Sequence, residues 1–284
     1  MKEILILMRP KHWIKNLLVF LPAFFSGNLW EFSRVKNLTV GFFCFSFVAS
    51  VVYIVNDMKD VEKDRQHEIK CKRPLASGAV SKKEAGITIL CLIAGAVLCS
   101  CAIKSRQPLQ HFFWCVFYFI LNLAYSIRLK NLPIIDVAVL ASGFLIRIFY
   151  GAAVSGIEAS SWLSLTVMSF ALYMAIGKRR NELHKTGGSA TRKVLQYYDV
   201  ELLDRYMLIA ATLGIVFYSL WAGMVTGCKW MVWTVPLVLF MIMKYEMILK
   251  GDSYGDPVEV LLSDRILCGL AVFYACLLFL LLYA

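Results

Sequence analysis

The chain has 284 residues, 60% of which are hydrophobic, and its formal net charge at pH 7 is +11. A soluble domain carries about 45–50% apolar residues, so this apolar excess, with a mean hydropathy of +0.67, indicates a membrane protein. A basic chain can bind nucleic acid, but here the basic residues lie in segments between hydrophobic stretches. We therefore expect membrane lipids among the partners and no nucleic acid.

In chain order, nine hydrophobic stretches have the length and composition of membrane-spanning helices. Runs of roughly 17–25 apolar residues are typical of such helices, because unpaired backbone polar groups in hydrocarbon are costly. The predicted spans are 16–30, 38–56, 86–104, 108–126, 134–156, 162–177, 206–226, 230–247 and 262–283. No long polar insert interrupts a span, so the sequence predicts an all-α, polytopic fold with one transmembrane domain over residues 1–284.

Lysine and arginine are distributed unequally between the two sides of the membrane. With the N-terminus in the cytoplasm, 24 of the 30 basic residues lie in or beside cytoplasmic segments, five lie on the opposite side, and Arg147 lies inside a span. The positive-inside rule therefore predicts a cytoplasmic N-terminus. The apolar stretch 4–8 is too short for a signal peptide and no small-residue cleavage site follows, so we expect no cleaved signal.

Two connections between the predicted spans are much longer than the others. The segments 57–85 and 178–205 are both cytoplasmic in this topology, both densely charged, and four spans apart. Long segments of this kind in compact proteins are usually functional or disordered. We interpret them as cap loops, one in each of two related halves formed by spans 1–4 and 5–8, although no residue-level repeat is visible.

The first cap loop begins with a cluster of oxygen-bearing side chains. If the second span continues as a helix, these side chains fall within about 100° of one another on the helical wheel. The cluster consists of Asn56, Asp57, Asp60 and Asp64. Like charges at this spacing repel, and oxygen ligands without His or Cys favour Mg²⁺, with Mn²⁺ as an alternative. The cluster predicts a metal-bridged diphosphate site where the helix leaves the bilayer; the alternative is a solvated acidic helix end with Lys and Arg partners.

Two basic residues follow this cluster within the same loop. Lys72 and Arg73 precede the turn sequence Pro-Leu-Ala-Ser-Gly, and a guanidinium can hold phosphate oxygens bidentately. The alternative is that both charges serve only the positive-inside topology, and spacing alone leaves both interpretations open.

Together these motifs resemble a known family. The pattern N-D-x-x-D-x-x-x-D at 56–64, followed by K-R-P-L-A-S-G at 72–78, is similar to the UbiA superfamily of intramembrane prenyltransferases. The resemblance implies nine helices around a lipid-facing cavity, with Mg²⁺ bound by two Asp-rich motifs. The segment between spans four and five is also similar to that family, which makes Tyr125, Lys130 and Asp136 candidate site residues.

One departure from the family pattern changes the expected reaction. Where the second Asp-rich motif belongs, the chain has G-K-R-R-N-E-L at 177–183. This stretch, R-P-K-H-W-I-K-N at 9–16 and S-G-F-L-I-R at 142–147 are similar to one branch of the superfamily, the decaprenyl-phosphate phosphoribosyltransferases. That resemblance implies transfer of 5-phosphoribosyl from phosphoribosyl pyrophosphate to a polyprenyl phosphate, in a bacterial-type plasma membrane with a cytoplasmic active site.

The same resemblance assigns roles to individual residues. We expect the cluster at 56–64 to bind Mg²⁺ and the donor's pyrophosphate, with Asp60 and Asp64 needed for catalysis. We expect Lys72 and Arg73 to hold donor phosphates. The other residues expected at phosphate groups of the donor or the lipid are Lys11, Lys15, Asn16, Lys178, Arg179 and Arg180.

Arg147 lies deep within the fifth predicted span, about 20 Å along the axis from a helix start near residue 134. Ionisable residues at such depth usually face a cavity. A polar stripe about 60° wide runs down this span and consists of Asp136, Gly143, Arg147 and Tyr150. We expect Arg147 to contribute to catalysis, with Asp136 and Lys130 near the cytoplasmic mouth. The alternative is a structural hydrogen-bond hub to carbonyls of a neighbouring span.

Two other functions stay open at this stage. The runner-up enzyme is a prenyltransferase that moves a polyprenyl group from its diphosphate to an aromatic or quinone-precursor acceptor. A transporter or lipid-binding protein would show polar residues accessible from both sides, whereas here they crowd on one side. The lipid's chain length is not determined, and an oligomer is compatible with the sequence.

Overall fold

The computed structural model describes residues 2–27, 29, 31–66, 70–105, 108–186, 193–251 and 257–284, and no strand occurs among them. The predicted all-α fold is confirmed. By its internal contacts the chain forms two compact units. Unit 1 comprises residues 1–24, 28–127 and 146–158, and unit 2 comprises 25–27, 128–145 and 159–284.

The α-helices are α1 (Lys2–Met8), α2 (Leu21–Phe25), α3 (Phe32–Arg65), α4 (Lys82–Ala102), α5 (Pro108–Ile127), α6 (Ile135–Ser155), α7 (Ser161–Thr186), α8 (Val200–Met224), α9 (Val235–Leu249), α10 (Pro257–Ser263) and α11 (Arg265–Tyr283). Five 3-10 helices connect them: Pro10–Phe20, called here the N-terminal 3-10 helix, then Lys70–Lys72, Leu129–Asn131, Lys193–Tyr197 and Lys229–Thr234.

Seven helical segments in the described parts of the chain are long and apolar enough to cross a membrane. They lie in α3, α4, α5, α6, α8, α11 and the continuous stretch Lys229–Leu249 that contains α9. The sixth predicted span coincides with α7, which has 26 residues and ends in a charged segment. The protein is therefore a multi-pass membrane protein, and the predicted count of nine spans stays a prediction.

The first predicted span, 16–30, is not a continuous α-helix, because the N-terminal 3-10 helix occupies its beginning. Trp13 Nε1 donates to Ser50 Oγ at 3.0 Å, and Asn16 Nδ2 donates to Ser46 Oγ at 2.9 Å. Trp13 and Asn16 are three residues apart in the 3-10 helix, and their partners Ser50 and Ser46 are four residues apart in α3. Both spacings correspond to a rise of about 6 Å along the helix axis, so the two hydrogen bonds can form together. Side-chain bonds to α3 thus favour the tighter helix, which hydropathy alone does not reveal.

In unit 1, α6 closely approaches the N-terminal 3-10 helix at Gly151. A Cβ atom at this position would lie 2.0 Å from the backbone carbonyl oxygen of Val19. The neighbouring Tyr150 donates its hydroxyl to the carbonyl of Gly41 in α3 at 3.2 Å. Val19, Tyr150 and Phe45 are fully buried in the shared core. Close backbone contact here holds α3, α6 and the 3-10 helix together.

In unit 2, α7 packs closely against α8, and glycines allow the helices to approach. A Cβ atom on Gly214 of α8 would lie 2.5 Å from the Phe170 ring of α7. A Cβ atom on Gly177 of α7 would lie 2.6 Å from Leu249 of α9. The end of α7 that carries the basic stretch is therefore anchored on two helices.

Candidate active site

The residues Asn56, Asp57, Asp60 and Asp64, called here the acidic cluster, lie near the C-terminal end of α3. The helix continues beyond the predicted span to Arg65, as the helical-wheel argument assumed. Asp57 and Asp64 are buried, with 3% and 5% of their surface exposed, while Asn56 and Asp60 are half-buried. Burying two carboxylates requires cationic partners close by.

Arg73 joins the two buried carboxylates. Its Nη1 donates to Asp57 Oδ1 at 3.0 Å and to Asp64 Oδ2 at 2.6 Å. The loop that carries it is firmly packed, because Leu75 is 3% exposed in the core of unit 1 and Gly78 supplies the φ of +80° that the turn needs. The residue expected to bind phosphate is therefore, in this structure, a counter-ion of the acidic cluster.

Arg9 is a residue of this site that sequence analysis did not select. Its Nη2 donates to both carboxylate oxygens of Asp57, at 2.6 and 2.7 Å, and its guanidinium lies 5.2 Å from the centre of the Tyr53 ring. Its backbone is left-handed, with φ 54° and ψ 56°, which costs about 1–2 kcal/mol for a residue with a Cβ. Two sequence signals pointed to it: Arg9 begins the stretch 9–16 that carries the resemblance, and it precedes Pro10, which disfavours the right-handed helix for the residue before it.

The acidic cluster offers ligands that suit a divalent cation shared with phosphate oxygens. Within the described ranges, no group of three or more His, Cys, Asp or Glu side chains is placed to hold a metal ion. Mg²⁺ does not need such a cage, since it usually keeps waters and binds one or two carboxylates together with substrate phosphates. Asp60 and Asp64 lie about one turn apart on α3. By this criterion the side chains of the acidic cluster fit Mg²⁺.

Arg147 lies in a buried hydrogen-bond hub in unit 1. It is 5% exposed, and it donates from Nε to Asn16 Oδ1 at 2.7 Å and from Nη2 to the Tyr118 hydroxyl at 3.1 Å. Its guanidinium also lies about 5 Å from two aromatic ring centres, 5.2 Å for Phe45 and 5.0 Å for Tyr118. These partners of Arg147 are thus side chains, and one of them, Asn16, is also a predicted site residue. The contacts of Arg147 and Asn16 with substrate stay predictions.

A second buried ion pair lies in unit 2, where Arg179 Nε donates to Asp136 Oδ2 at 2.5 Å. Both side chains are at most 1% exposed, and Arg179 Nη1 also donates to Glu182 at 2.9 Å. Tyr198 donates its hydroxyl to Asp136 at 3.1 Å and accepts the backbone N–H of Ile134 at 2.5 Å. Burial raises the pKa of Tyr198 to about 12, so the phenol stays protonated and donates at neutral pH.

The basic stretch of the second cap loop is more neutralised than its sequence indicates. Arg180 Nε donates to Asp204 Oδ1 at 2.5 Å, and Arg179 has the two acidic partners described above. Lys178 is half-buried on α7. Because carboxylates already contact both arginines, a phosphate bound here would share these arginines with acidic side chains.

The other candidate residues are placed as follows. Lys11 and Lys72 are exposed, and Lys15, Tyr125 and Lys130 are half-buried. Lys130 belongs to unit 2, while the other four belong to unit 1. Their expected contacts with phosphate groups stay predictions.

Known proteins with similar sequences cover almost the whole chain. The decaprenyl-phosphate phosphoribosyltransferase of Corynebacterium glutamicum is 34% identical in an alignment of length 277 that covers 93% of this chain and 82% of that protein. The enzyme of the same name from Mycobacterium tuberculosis is 32% identical in an alignment of length 273 that covers 93% of this chain and 89% of that protein.

The fold has a solved counterpart in a UbiA homolog from Archaeoglobus fulgidus bound to GPP and Mg²⁺. The two chains align with a TM-score of 0.72 at 18% identity, over 98% of this chain and 99% of the other. The family model described as UbiA prenyltransferase family matches residues 16–258. With most of its length matched, the chain belongs to the UbiA prenyltransferase family.

Proposed function

We propose that this protein transfers the 5-phosphoribosyl group of phosphoribosyl pyrophosphate to a polyprenyl phosphate and releases pyrophosphate. The observation that carries the proposal is the similarity, over 93% of the chain, to enzymes named decaprenyl-phosphate phosphoribosyltransferases. The combination of carboxylates and guanidiniums at the end of α3 supports it, because the donor carries a diphosphate that needs both a metal ion and fixed cations.

The acidic cluster would hold Mg²⁺, or alternatively Mn²⁺, together with the donor's pyrophosphate. A divalent cation bound there stabilises the negative charge that develops on the leaving pyrophosphate. Lys72 and Arg73 add positive charge to the donor's phosphates. The arginine can do so through two parallel hydrogen bonds, which also orient the group.

The acceptor raises a second electrostatic problem, because a lipid phosphate must approach a donor that is also anionic. Two unit charges about 5 Å apart repel by roughly 1–3 kcal/mol at intermediate to high dielectric. Fixed cations offset this repulsion without any reorganisation during the reaction. We assign this role to the candidate basic residues Lys11, Lys15, Lys178, Arg179 and Arg180.

The chemical step needs no protein nucleophile. An ionised phosphate oxygen of the lipid attacks the anomeric carbon of the ribose, and a carbon–oxygen bond forms there. The bond between that carbon and the pyrophosphate oxygen breaks, and pyrophosphate leaves with the electron pair. The protein contributes by orienting the two substrates and by neutralising their charges. In this proposal the buried hub of Arg147 and Asn16, with Tyr125, Lys130 and Asp136, helps to position the substrates.

A transfer assay with the purified full-length protein tests the proposal. Radiolabelled phosphoribosyl pyrophosphate is mixed with decaprenyl phosphate in detergent, with Mg²⁺ or with excess EDTA. Labelled lipid should form only when both substrates and Mg²⁺ are present, and added Mg²⁺ should restore activity after chelation.

The second candidate is prenyl transfer to an aromatic acceptor, which membership of a prenyltransferase family favours. The same preparation is therefore given a labelled polyprenyl diphosphate and an aromatic acid. A product in this reaction, with none from phosphoribosyl pyrophosphate, would replace the first proposal with the second.

A further inference from the structure

We propose that Arg9 is a stand-in for the metal ion. Without metal, the Arg9 guanidinium neutralises Asp57. When metal and diphosphate bind together, the guanidinium moves to the donor's phosphates. This inference rests on the proposed function, since it concerns how the same site assembles. It assigns Arg9 to the site and predicts a coupling between its two ligands.

Two arginines already contact Asp57 in this structure. Arg9 contacts both oxygens of this carboxylate at 2.6 and 2.7 Å, and Arg73 adds a third hydrogen bond at 3.0 Å. The Asp57 side chain is 4% exposed and that of Arg9 is 22% exposed, so little water screens the pair. A metal ion that uses Asp57 must therefore displace Arg9, because it would add a third cation to a carboxylate that two guanidiniums already contact.

The backbone of Arg9 is also in a conformation that is unusual for this residue. Helices that end in the left-handed conformation usually have glycine there, because a Cβ is strained in it. Here arginine occupies that position at the end of α1, with φ 54° and ψ 56°. Strained residues persist where surrounding contacts hold them, and they are common at ligand clamps. The contacts of the Arg9 side chain with Asp57 and Tyr53 supply that restraint.

These two observations imply that metal and diphosphate bind cooperatively. A metal ion that binds alone must compete with the guanidiniums for the carboxylates. A diphosphate that binds alone must compete with the carboxylates for the guanidiniums. When both bind, the metal takes the carboxylates and the phosphates take the arginines. The coupling is reciprocal, so each ligand strengthens the other by the same factor.

Calorimetric titration of the full chain in detergent tests the coupling, with MgCl₂ alone and with magnesium pyrophosphate as the two probes. Arg9→Gly removes the guanidinium and suits the left-handed backbone. It should tighten the binding of Mg²⁺ alone by about tenfold and weaken the binding of magnesium pyrophosphate by about tenfold. Tighter binding of Mg²⁺ together with weaker binding of magnesium pyrophosphate is expected if Arg9 is a stand-in for the metal. If Arg9 only held the fold together, its loss would not tighten the binding of Mg²⁺.

Two further variants complete the experiment. Arg34→Gln removes an arginine that pairs with Glu31 near the other end of α3, and it should change neither affinity. Arg9→Lys keeps the charge but loses the two-pronged contact, so it should shift both affinities in the same directions as Arg9→Gly by smaller factors. If Arg9→Gly does not elute as a monodisperse protein, the affinities of Arg9→Lys test the stand-in role instead.

The outcomes separate this inference from the proposed function. Weaker or unchanged binding of Mg²⁺ alone in Arg9→Gly overturns the stand-in role and leaves the transferase proposal intact. A wild-type protein that binds no magnesium pyrophosphate overturns both.

Discussion

The side chains of the acidic cluster differ in their surroundings, and these differences suggest different tasks. Asp57 contacts two guanidiniums and Asp64 contacts one, whereas Asp60 is half-buried. Glu62, on the same helix, has a side chain that is 78% exposed and pairs with Arg65. Glu62 therefore lies away from the carboxylates that Arg73 contacts.

Replacing Asp60 or Asp64 with Asn should lower phosphoribosyl transfer by at least about 100-fold, because each change removes a negative ligand and keeps the side-chain volume. The measurement is the initial rate of labelled-lipid formation at saturating Mg²⁺. Glu62→Gln is the matched control, since it removes one negative charge from the exposed face of the same helix. Near-normal transfer by the Asp60 and Asp64 variants would contradict the metal assignment.

Local periodicity explains which of these residues the sequence could predict. Asp57 and Asp64 are seven residues apart, which is about two helical turns, so they lie on the same face of α3. The motif alone was therefore sufficient to predict that they lie together. Arg9 lies 48 residues from Asp57, and Asn16 lies 131 residues from Arg147. No short-range pattern encodes such pairs, because tertiary packing brings them together.

At the scale of the elements, α6 separates what the helical wheel had grouped. Its polar stripe was predicted as one feature, yet Asp136 pairs with Arg179 in unit 2 while Arg147 and Tyr150 belong to unit 1. A helical wheel predicts which residues share a face of a helix, but it does not predict which residues elsewhere in the chain pack against each turn. For the same reason, hydropathy did not predict the N-terminal 3-10 helix, whose form depends on hydrogen bonds to α3.

Gly151→Ala should destabilise the protein by about 1–3 kcal/mol, because the added methyl group would overlap the Val19 carbonyl oxygen and the backbone must move. The measurement is the midpoint of thermal unfolding in detergent. Gly86→Ala in α4 is the control, since nothing lies within 4 Å of its Cβ position. In that open site, alanine should be neutral or stabilising. Equal stability of the two variants would show that the close approach of α6 is not maintained.

At the scale of the whole molecule, the compact units only partly match the halves inferred from loop spacing. Unit 1 contains the chain through α5 except for residues 25–27, but it also takes residues 146–158 from α6 and beyond. Loop spacing predicts one cap loop in each half, and this stays a prediction. It could not predict that one helix would be divided between the units, because that depends on packing along the helix.

The orientation of the protein is the remaining prediction, and two matched substitutions test it. Lys83 at the start of α4 and Lys229 before α9 are both exposed, and the positive-inside rule places them on opposite sides of the membrane. In an otherwise cysteine-free chain, an impermeant maleimide should label Lys229→Cys in intact cells and Lys83→Cys only after lysis.

The same experiment bears on function, because the end of α3 that carries the acidic cluster leads through one loop into the start of α4. Lys83 therefore reports the side of the membrane on which the cluster lies. A multiply charged sugar diphosphate does not cross a bilayer unaided, since each charge in hydrocarbon is costly. Labelling in the reverse pattern would place the acidic cluster on the outer side, away from a donor made in the cytoplasm, and the transferase proposal would then fail together with the orientation.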